Sequence, residues 1–258
     1  MLHLYHSAYS TCSQKVRLAL FEKGLTFDTT EMEFWRGDHL TPEYLAINPN
    51  GVVPTLVHDG HPILDSSVIV EYLDDVFPNN KLSPTAPVAR ANMRSWMRYL
   101  EEVPTTAIRV PSFNKVFRQL RIDLSDQELE DEANRRPLRK GFYQEMGREG
   151  FNDARYEASL GQLQQTITRM EQALTTNRFL CGDDLTLADI CVIPTIDRMR
   201  DIGLGDMVTV SKCVQRWWTD VEQRESFANT FYPGTRVSER YKVLPNGTRS
   251  KAFAHIST

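Results

Sequence analysis

The residues of this chain best suited to chemistry fall in two short stretches. Ser10, Thr11, Cys12 and Ser13 put three hydroxyls and one thiol in four positions, where an apolar helical period begins. A helix amino terminus presents unpaired N–H groups and the positive end of its dipole, and both favour a thiolate over a thiol. A hydroxyl that donates a hydrogen bond to the sulfur favours it further. The second stretch, residues 48–73, contains Val53-Pro54, Asp59-Gly60 and Asp65-Ser66. A cis proline at a strand start turns the preceding backbone N–H and C=O outward, where a peptide-like ligand can lie alongside as an extra strand. The first-turn amides and hydroxyl at Ser66 can grip a carboxylate, and Asp65 can take an ammonium. Val53, Pro54, Asp65 and Ser66 are therefore the candidate binding residues.

Positioning these groups requires strands and helices in alternation. The pattern predicts strands over 2–6 and 27–32, a helix over 13–23 stopped by Gly24, and a helix over 66–77 stopped by Pro78. Asp59-Gly60 between the apolar runs 55–57 and 62–64 predicts a two-residue hairpin turn. The order is β-α-β followed by β-β-α, and Val68, Ile69, Tyr72, Leu73 and Val76 mark the face of the last helix expected on the sheet. Residues 78–87, rich in Pro, Asn and Ser, mark a linker between an α/β domain over 1–80 and an all-helical domain over 88–258.

Beyond the linker the apolar period is helical. Met93, Trp96, Met97 and Leu100 form one stripe, and Leu160, Leu163, Ile167, Met170 and Leu174 form another. These stripes, with Trp217 and Trp218, are expected to be core. Residues 105–155 form a charge-rich insertion in which Ser125 and Glu128 have capping-box spacing, so a helix is expected to start there. It is either a solvated elaboration or a lid over a pocket. The tail from Tyr232 is basic, with Arg236, Arg240, Lys242, Arg249 and Lys251 against Glu239.

Composition narrows the classes. Thirty Lys and Arg against 34 Asp and Glu give a net charge of −4, which offers no global polycation for nucleic acid or an anionic membrane. No run reaches the roughly 18 apolar residues of a membrane span, and the first residues lack a basic and then apolar leader. A cytoplasmic protein is expected. Cys12, Cys181, Cys191 and Cys213 lack metal-ligand spacing and are too few for a disulfide framework, so reduced thiols are expected. No metal site is expected either, since His3, His6, His58, His61 and His255 have no partner ligands at suitable spacing.

Taken in order, the Ser10-Thr11-Cys12-Ser13 turn, the Val53-Pro54 bend, the hairpin and the Asp65-Ser66 helix start resemble the glutathione S-transferase superfamily, in its bacterial type. A fourth anchor, Leu185-Thr186-Leu187-Ala188-Asp189-Ile190, resembles that family's second-domain capping box. The resemblance implies a thioredoxin-like glutathione-binding domain before an all-α substrate-binding domain, with glutathione as co-substrate. It also implies a homodimer and a hydrophobic, aromatic electrophile, with roles in detoxification or the catabolism of aromatic compounds. It places Ser10, as the thiolate-stabilising donor, and Ser13 where Cys-x-x-Cys relatives carry their cysteines. The insertion is similar to that of β-etherase members.

Cys12 leaves the reaction class open. Ser-x-Cys-Ser followed by a basic residue also resembles reductive dehalogenase and zeta-type isomerase members, which use a cysteine there. The bland alternative for Cys12 is a small buried hydrophobe. Thr11 and Gln14-Lys15 depart from the zeta pattern, which favours conjugation or β-aryl ether cleavage over isomerisation. His39, on the segment beside the pocket, is a candidate for the glycine carboxylate of glutathione, its alternative being an exposed polar residue. A rival reading is a non-catalytic protein that kept the fold and binds glutathione or another hydrophobic ligand. A thiol-disulfide oxidoreductase is disfavoured by the lack of any Cys-x-x-Cys.

Overall fold

The computed structural model describes residues 1–241, apart from the side chain of Trp35. It begins with β1 (Leu2–His6), α1 (Thr11–Glu22) and β2 (Asp28–Glu31). Two 3-10 turns, Phe34–Arg36 and Asp38–Leu40, lead to α2 (Pro42–Ile47), the hairpin strands β3 (Thr55–His58) and β4 (His61–Leu64), and α3 (Ser66–Val76). The sheet order is β2-β1-β3-β4, with β1 and β2 parallel and the other neighbours antiparallel. Leu2, Leu4 and His6 of β1 are buried while His3 and Tyr5 are half-buried, the alternation a pleated strand imposes. Asp59 and Gly60 both have positive φ, 49° and 82°, as a two-residue turn matched to strand twist demands.

Helix α1 is packed on several sides, against the sheet domain's α3 and the helices that follow. Val16, Leu18, Ala19 and Leu20 are essentially inaccessible. Its charged residues are buried or half-buried as well, and each has partners, although Arg17 Nε has none. Arg17 donates to His6 Nδ1 at 3.0 Å and to the Ala8 carbonyl at 2.9 Å, and Lys23 pairs with Asp74 at 3.0 Å. Without such partners the desolvation cost would exceed any packing gain. On α3 the buried line is Ile69, Val70 and Leu73, each contributing about 1.5–3 kcal/mol by burial. Val68 and Val76 are 49% and 42% exposed, which corrects the face expected from the sequence.

The helical domain comprises α4 (Pro87–Glu102), α5 (Pro104–Ala107), α6 (Arg109–Lys115), a 3-10 turn at Phe117–Leu120, α7 (Asp126–Asn134), α8 (Lys140–Met146) and α9 (Asp153–Leu174), and continues with α10 (Leu187–Asp201), α11 (Asp206–Thr209), α12 (Lys212–Glu222), α13 (Glu225–Thr230) and α14 (Val237–Arg240). Its axis is α10, buried along nearly its whole length. Thr186 and Asp189 form the expected capping box, and Asp189 Oδ1 also accepts from Trp217 Nε1 at 2.9 Å. Trp217 and Trp218 are core, as are Met93, Met97, Leu100, Leu163, Ile167, Met170 and Leu174, whereas Trp96 and Leu160 are only partly buried.

The Ser125–Glu128 capping box starts α7. Glu132 of α7 pairs with Arg121 and, at 2.7 Å, with Arg136, so α7 and the turn into α8 are knitted by charge. The basic tail returns to the domain junction as far as Tyr241: Arg236 pairs with Asp197 at 2.7 Å, and Arg240 pairs with Glu31 and Glu33. Lys242, Arg249 and Lys251 lie outside the described residues.

Candidate functional site

The amino terminus of α1 opens onto a cleft of about 1090 Å³ between the two domains. Ser10 is the N-cap, with extended backbone, and its Oγ accepts from Ser13 N–H at 3.4 Å. That contact uses an oxygen lone pair and leaves the hydroxyl proton free to donate. Ser10, Thr11 and Cys12 all line the cleft. Ser13 does not. It is fully buried, and its Oγ accepts from Ser7 N–H at 3.3 Å behind the turn. Tyr9 also lines the cleft, but its hydroxyl accepts from Tyr241 at 2.6 Å, and burial together with that phenol drives its pKa far above the ordinary value. A phenolate at Tyr9 is thereby excluded as an activating group.

Val53 lines the same cleft, and the Val53–Pro54 peptide is cis. Among the described residues the Val53 N–H and C=O have no hydrogen-bond partner, so both are available to a ligand backbone. The loop before it is fixed from α2: Tyr44 Oη donates to the Val52 carbonyl at 2.6 Å, and Asn48 Nδ2 to the same oxygen at 2.9 Å. Pro54 is buried behind the cleft wall.

Asp65 and Ser66 sit one step further along. The last rung of the hairpin pairs Thr55 with Leu64, so Pro54 and Asp65 leave the sheet at one edge. Neither Asp65 nor Ser66 lines the large cleft itself. Asp65 is the exposed N-cap of α3, with φ 70°, and its Oδ1 accepts from Ser67 N–H at 2.9 Å, Val68 N–H at 3.2 Å and Ser67 Oγ. Burial opposes its charge, but the hydrogen bonds from Ser67 and Val68 outweigh it and hold the carboxyl below the usual range. It is anionic at neutral pH. Ser66 is buried and accepts from Lys15 Nζ at 3.2 Å, while Lys15 pairs with Glu101 of α4. Lys15 thus ties α1, α3 and α4 together at this edge.

His39 faces the cleft from the 3-10 turn, with Nε2 held by Arg136 Nη1 at 3.1 Å and the ring edge-on to Phe34. It is buried rather than exposed, and its pKa is lowered to about 4 by burial and by Arg136. The ring is therefore neutral. With Nε2 accepting, the proton sits on Nδ1, which is buried without a partner.

The opposite wall comes from the insertion, and the sequence did not single out its residues. Phe113 of α6 and Phe117 of the 3-10 turn after it have rings 4.8 Å apart, and Phe142 stands 5.0 Å from Phe113. Arg109, Arg136, Arg139 and Tyr143 complete that wall, and Tyr241 closes the end. The four-residue spacing of Phe113 and Phe117 was the available signal. No group of His, Cys, Asp or Glu suited to a metal ion occurs among the described residues, and no helix there is long and apolar enough to cross a membrane. Cys12, Cys181, Cys191 and Cys213 are free thiols, and burial pushes Cys181 and Cys191 up to about 11 and about 12.

Comparison with known proteins agrees with this geometry. The model of the glutathione S-transferase N-terminal domain matches residues 9–76, and that of the C-terminal domain matches 153–223. Protein LigF of Sphingobium sp. strain SYK-6 is 29% identical over 91% of this chain and 95% of its own. Its structure, described as a beta-etherase, superposes with a TM-score of 0.82 at 28% identity, covering 89% of this chain and 98% of that one. Glutathione S-transferase TCHQD of Arabidopsis thaliana is 27% identical over 88% of each chain. The chain belongs to the glutathione S-transferase family.

Proposed function

We propose that the cleft performs attack of the glutathione thiolate on an aromatic electrophile, with β-aryl ether cleavage the favoured form. The γ-glutamyl end of glutathione lies at Asp65 and Ser66, its backbone pairs with Val53, and its glycine carboxylate lies toward His39. The sulfur then rests at the start of α1, where Ser10 donates to it and the helix dipole favours its charge. A carbon–sulfur bond forms, the carbon–oxygen bond breaks, and the aryl oxygen leaves with a proton from solvent. One observation carries the reading: a capping serine with a free proton opens onto a cleft whose far wall is aromatic. The similarity to a protein described as a beta-etherase supports it. The cleft volume is ample for a tripeptide and an aromatic partner. A cytoplasmic homodimer belongs to the same proposal.

A second reading is favoured by Cys12, which lines the cleft two residues from Ser10 and is only half-buried. There the Cys12 thiolate would displace the product carbanion from a glutathionyl adduct, leaving a Cys12–glutathione disulfide that a second glutathione reduces. Thiolate absorbance against pH and whole-protein mass spectrometry separate the two. Ser10→Ala is expected to raise the pKa of bound glutathione and Cys12→Ala to leave it unchanged, with no glutathionylated Cys12 during turnover of an aryl ether. A stoichiometric Cys12 adduct that excess glutathione removes would defeat the ether-cleavage reading.

A further inference from the structure

Among the described residues, two half-buried cations on the insertion wall of the cleft have no anion. Arg109 opens α6 and Arg139 immediately precedes α8. Both line the cleft, both are half-buried, and among the described residues neither side chain makes an ion pair or hydrogen bond. Other arginines of the cleft have carboxylate partners or face solvent: Arg121 and Arg136 share Glu132, Arg198 of α10 lies at 3.7 Å from Asp201, and Arg135 is exposed. Burial, and then the charge of Arg109, lower the pKa of Arg139, so the two guanidinium groups are close enough to repel. Ser10 and Cys12 line the same cleft as the pair. Two half-buried like charges without a counter-ion are costly to the folded chain, and an anion between them reverses that cost.

The surroundings of the pair define what that anion is attached to. Arg109 and Phe113 are four apart on α6, and Arg139 lies three and four residues before Phe142 and Tyr143, so both arginines line the cleft on the wall that carries these rings. A planar guanidinium next to aromatic faces suits a flat aromatic acid, bound through two parallel N–H···O contacts. We propose that the electrophile taken by this cleft is an aromatic compound bearing a carboxylate, held by Arg109 and Arg139 with its ring among Phe113, Phe117 and Phe142. This rests on the glutathione-transfer reading of the site for the identity of the reaction, but not for the binding itself.

The test is calorimetric binding of 2-naphthoate and its neutral isostere 2-naphthamide, with glutathione present. The acid is expected to bind at least about tenfold more tightly than the amide. Arg109→Gln and Arg139→Gln should each weaken the acid by about fivefold or more and leave the amide unchanged. Glutathione affinity should stay within about twofold in both variants, which also reports that the fold is intact. Arg178→Gln, on the remote pair with Asp220, should change nothing. Equal binding of acid and amide would overturn the proposal, as would an acid preference that survives in the double variant. A loss of glutathione affinity instead would assign the pair to glutathione. Because no turnover is needed, failure of thioether formation would sink the transfer reading while leaving the acid preference standing.

Discussion

His6 and His39 should make the fold acid-sensitive well above the range of ordinary carboxylates. They are 4% and 6% exposed, and each has its pKa lowered from 6.5 to about 4. Burial is the larger cause in both, with Arg17 beside His6 and Arg136 beside His39 adding to it. The unfolded chain takes a proton on each ring below about pH 6.5, whereas the folded chain resists until about pH 4. Stability from this source is therefore complete above 6.5 and falls as pH is lowered toward 4. At pH 5 the loss is about 2 kcal/mol per histidine, at about 1.4 kcal/mol for each pH unit below the unfolded value. Asp189 and Asp197, whose carboxyl pKa values burial raises, titrate in the opposite sense, so the wild-type slope is a sum. The difference between wild type and His6→Asn or His39→Asn isolates each ring. Urea midpoints at pH 7.5 and 5.0 should show each variant losing about 2 kcal/mol less than wild type between the two conditions. A variant whose loss matches that of wild type would mean the ring is already charged in the folded protein.

Asp189→Ala removes the acceptor for Leu180 N–H, Thr186 N–H, Thr186 Oγ1 and Trp217 Nε1, and should cost about 3 kcal/mol or more in urea unfolding, because these donors are left buried and unpaired. A cost below about 1 kcal/mol would show that water replaces it. Asp65→Ala should weaken glutathione by about 1–3 kcal/mol and destabilise the fold by about 1 kcal/mol through the lost α3 cap, whereas Asp65→Ser keeps the cap and loses only affinity. Calorimetry and melting, read together, would contradict this if Asp65→Ser bound glutathione normally. Glu132→Ala leaves Arg121 and Arg136 without their shared carboxylate and should raise amide exchange across α7 and α8; unchanged exchange would mean the aromatic contacts alone hold these helices.

The parts of the fold legible in the sequence are those written in local chemistry. Asp59-Gly60 specifies its turn by φ, Thr186 and Asp189 close a box three residues apart, and the alternation of β1 follows from a period of two. Ser10 was legible as a cap for the same reason. Ser13 was misplaced because position matters through helical rotation: it falls on one face with Val16 and Leu20, three and seven residues on, and all three are turned inward. The stripe on α3 misled in the same way, since the buried line runs through Val70 and leaves Val68 and Val76 in solvent. Arg109, Arg139 and the aromatic wall were illegible because they meet only when an irregular insertion folds across the cleft. Likewise His39 acquired its neutral state from burial and from Arg136, 97 residues away.

The burial of α1 has a consequence for how the chain matures on the ribosome. Arg17 donates to the Thr230 carbonyl at 2.8 Å and Gln14 to the Thr235 carbonyl at 3.0 Å, across separations of 213 and 221 residues. Glu22 is likewise met by Arg224 and Ser226. Synthesis proceeds at about 5–20 residues per second, so the first helix waits on the order of ten seconds or more for the segment that satisfies it. Until then its polar groups must stay hydrated, and the earliest part of the polypeptide to emerge is among the last to be sealed. Such long-range closure is the slow, aggregation-exposed part of assembly. A nascent chain arrested before residue 224 would hold the sheet's sequence in full and still lack the lid over its first helix.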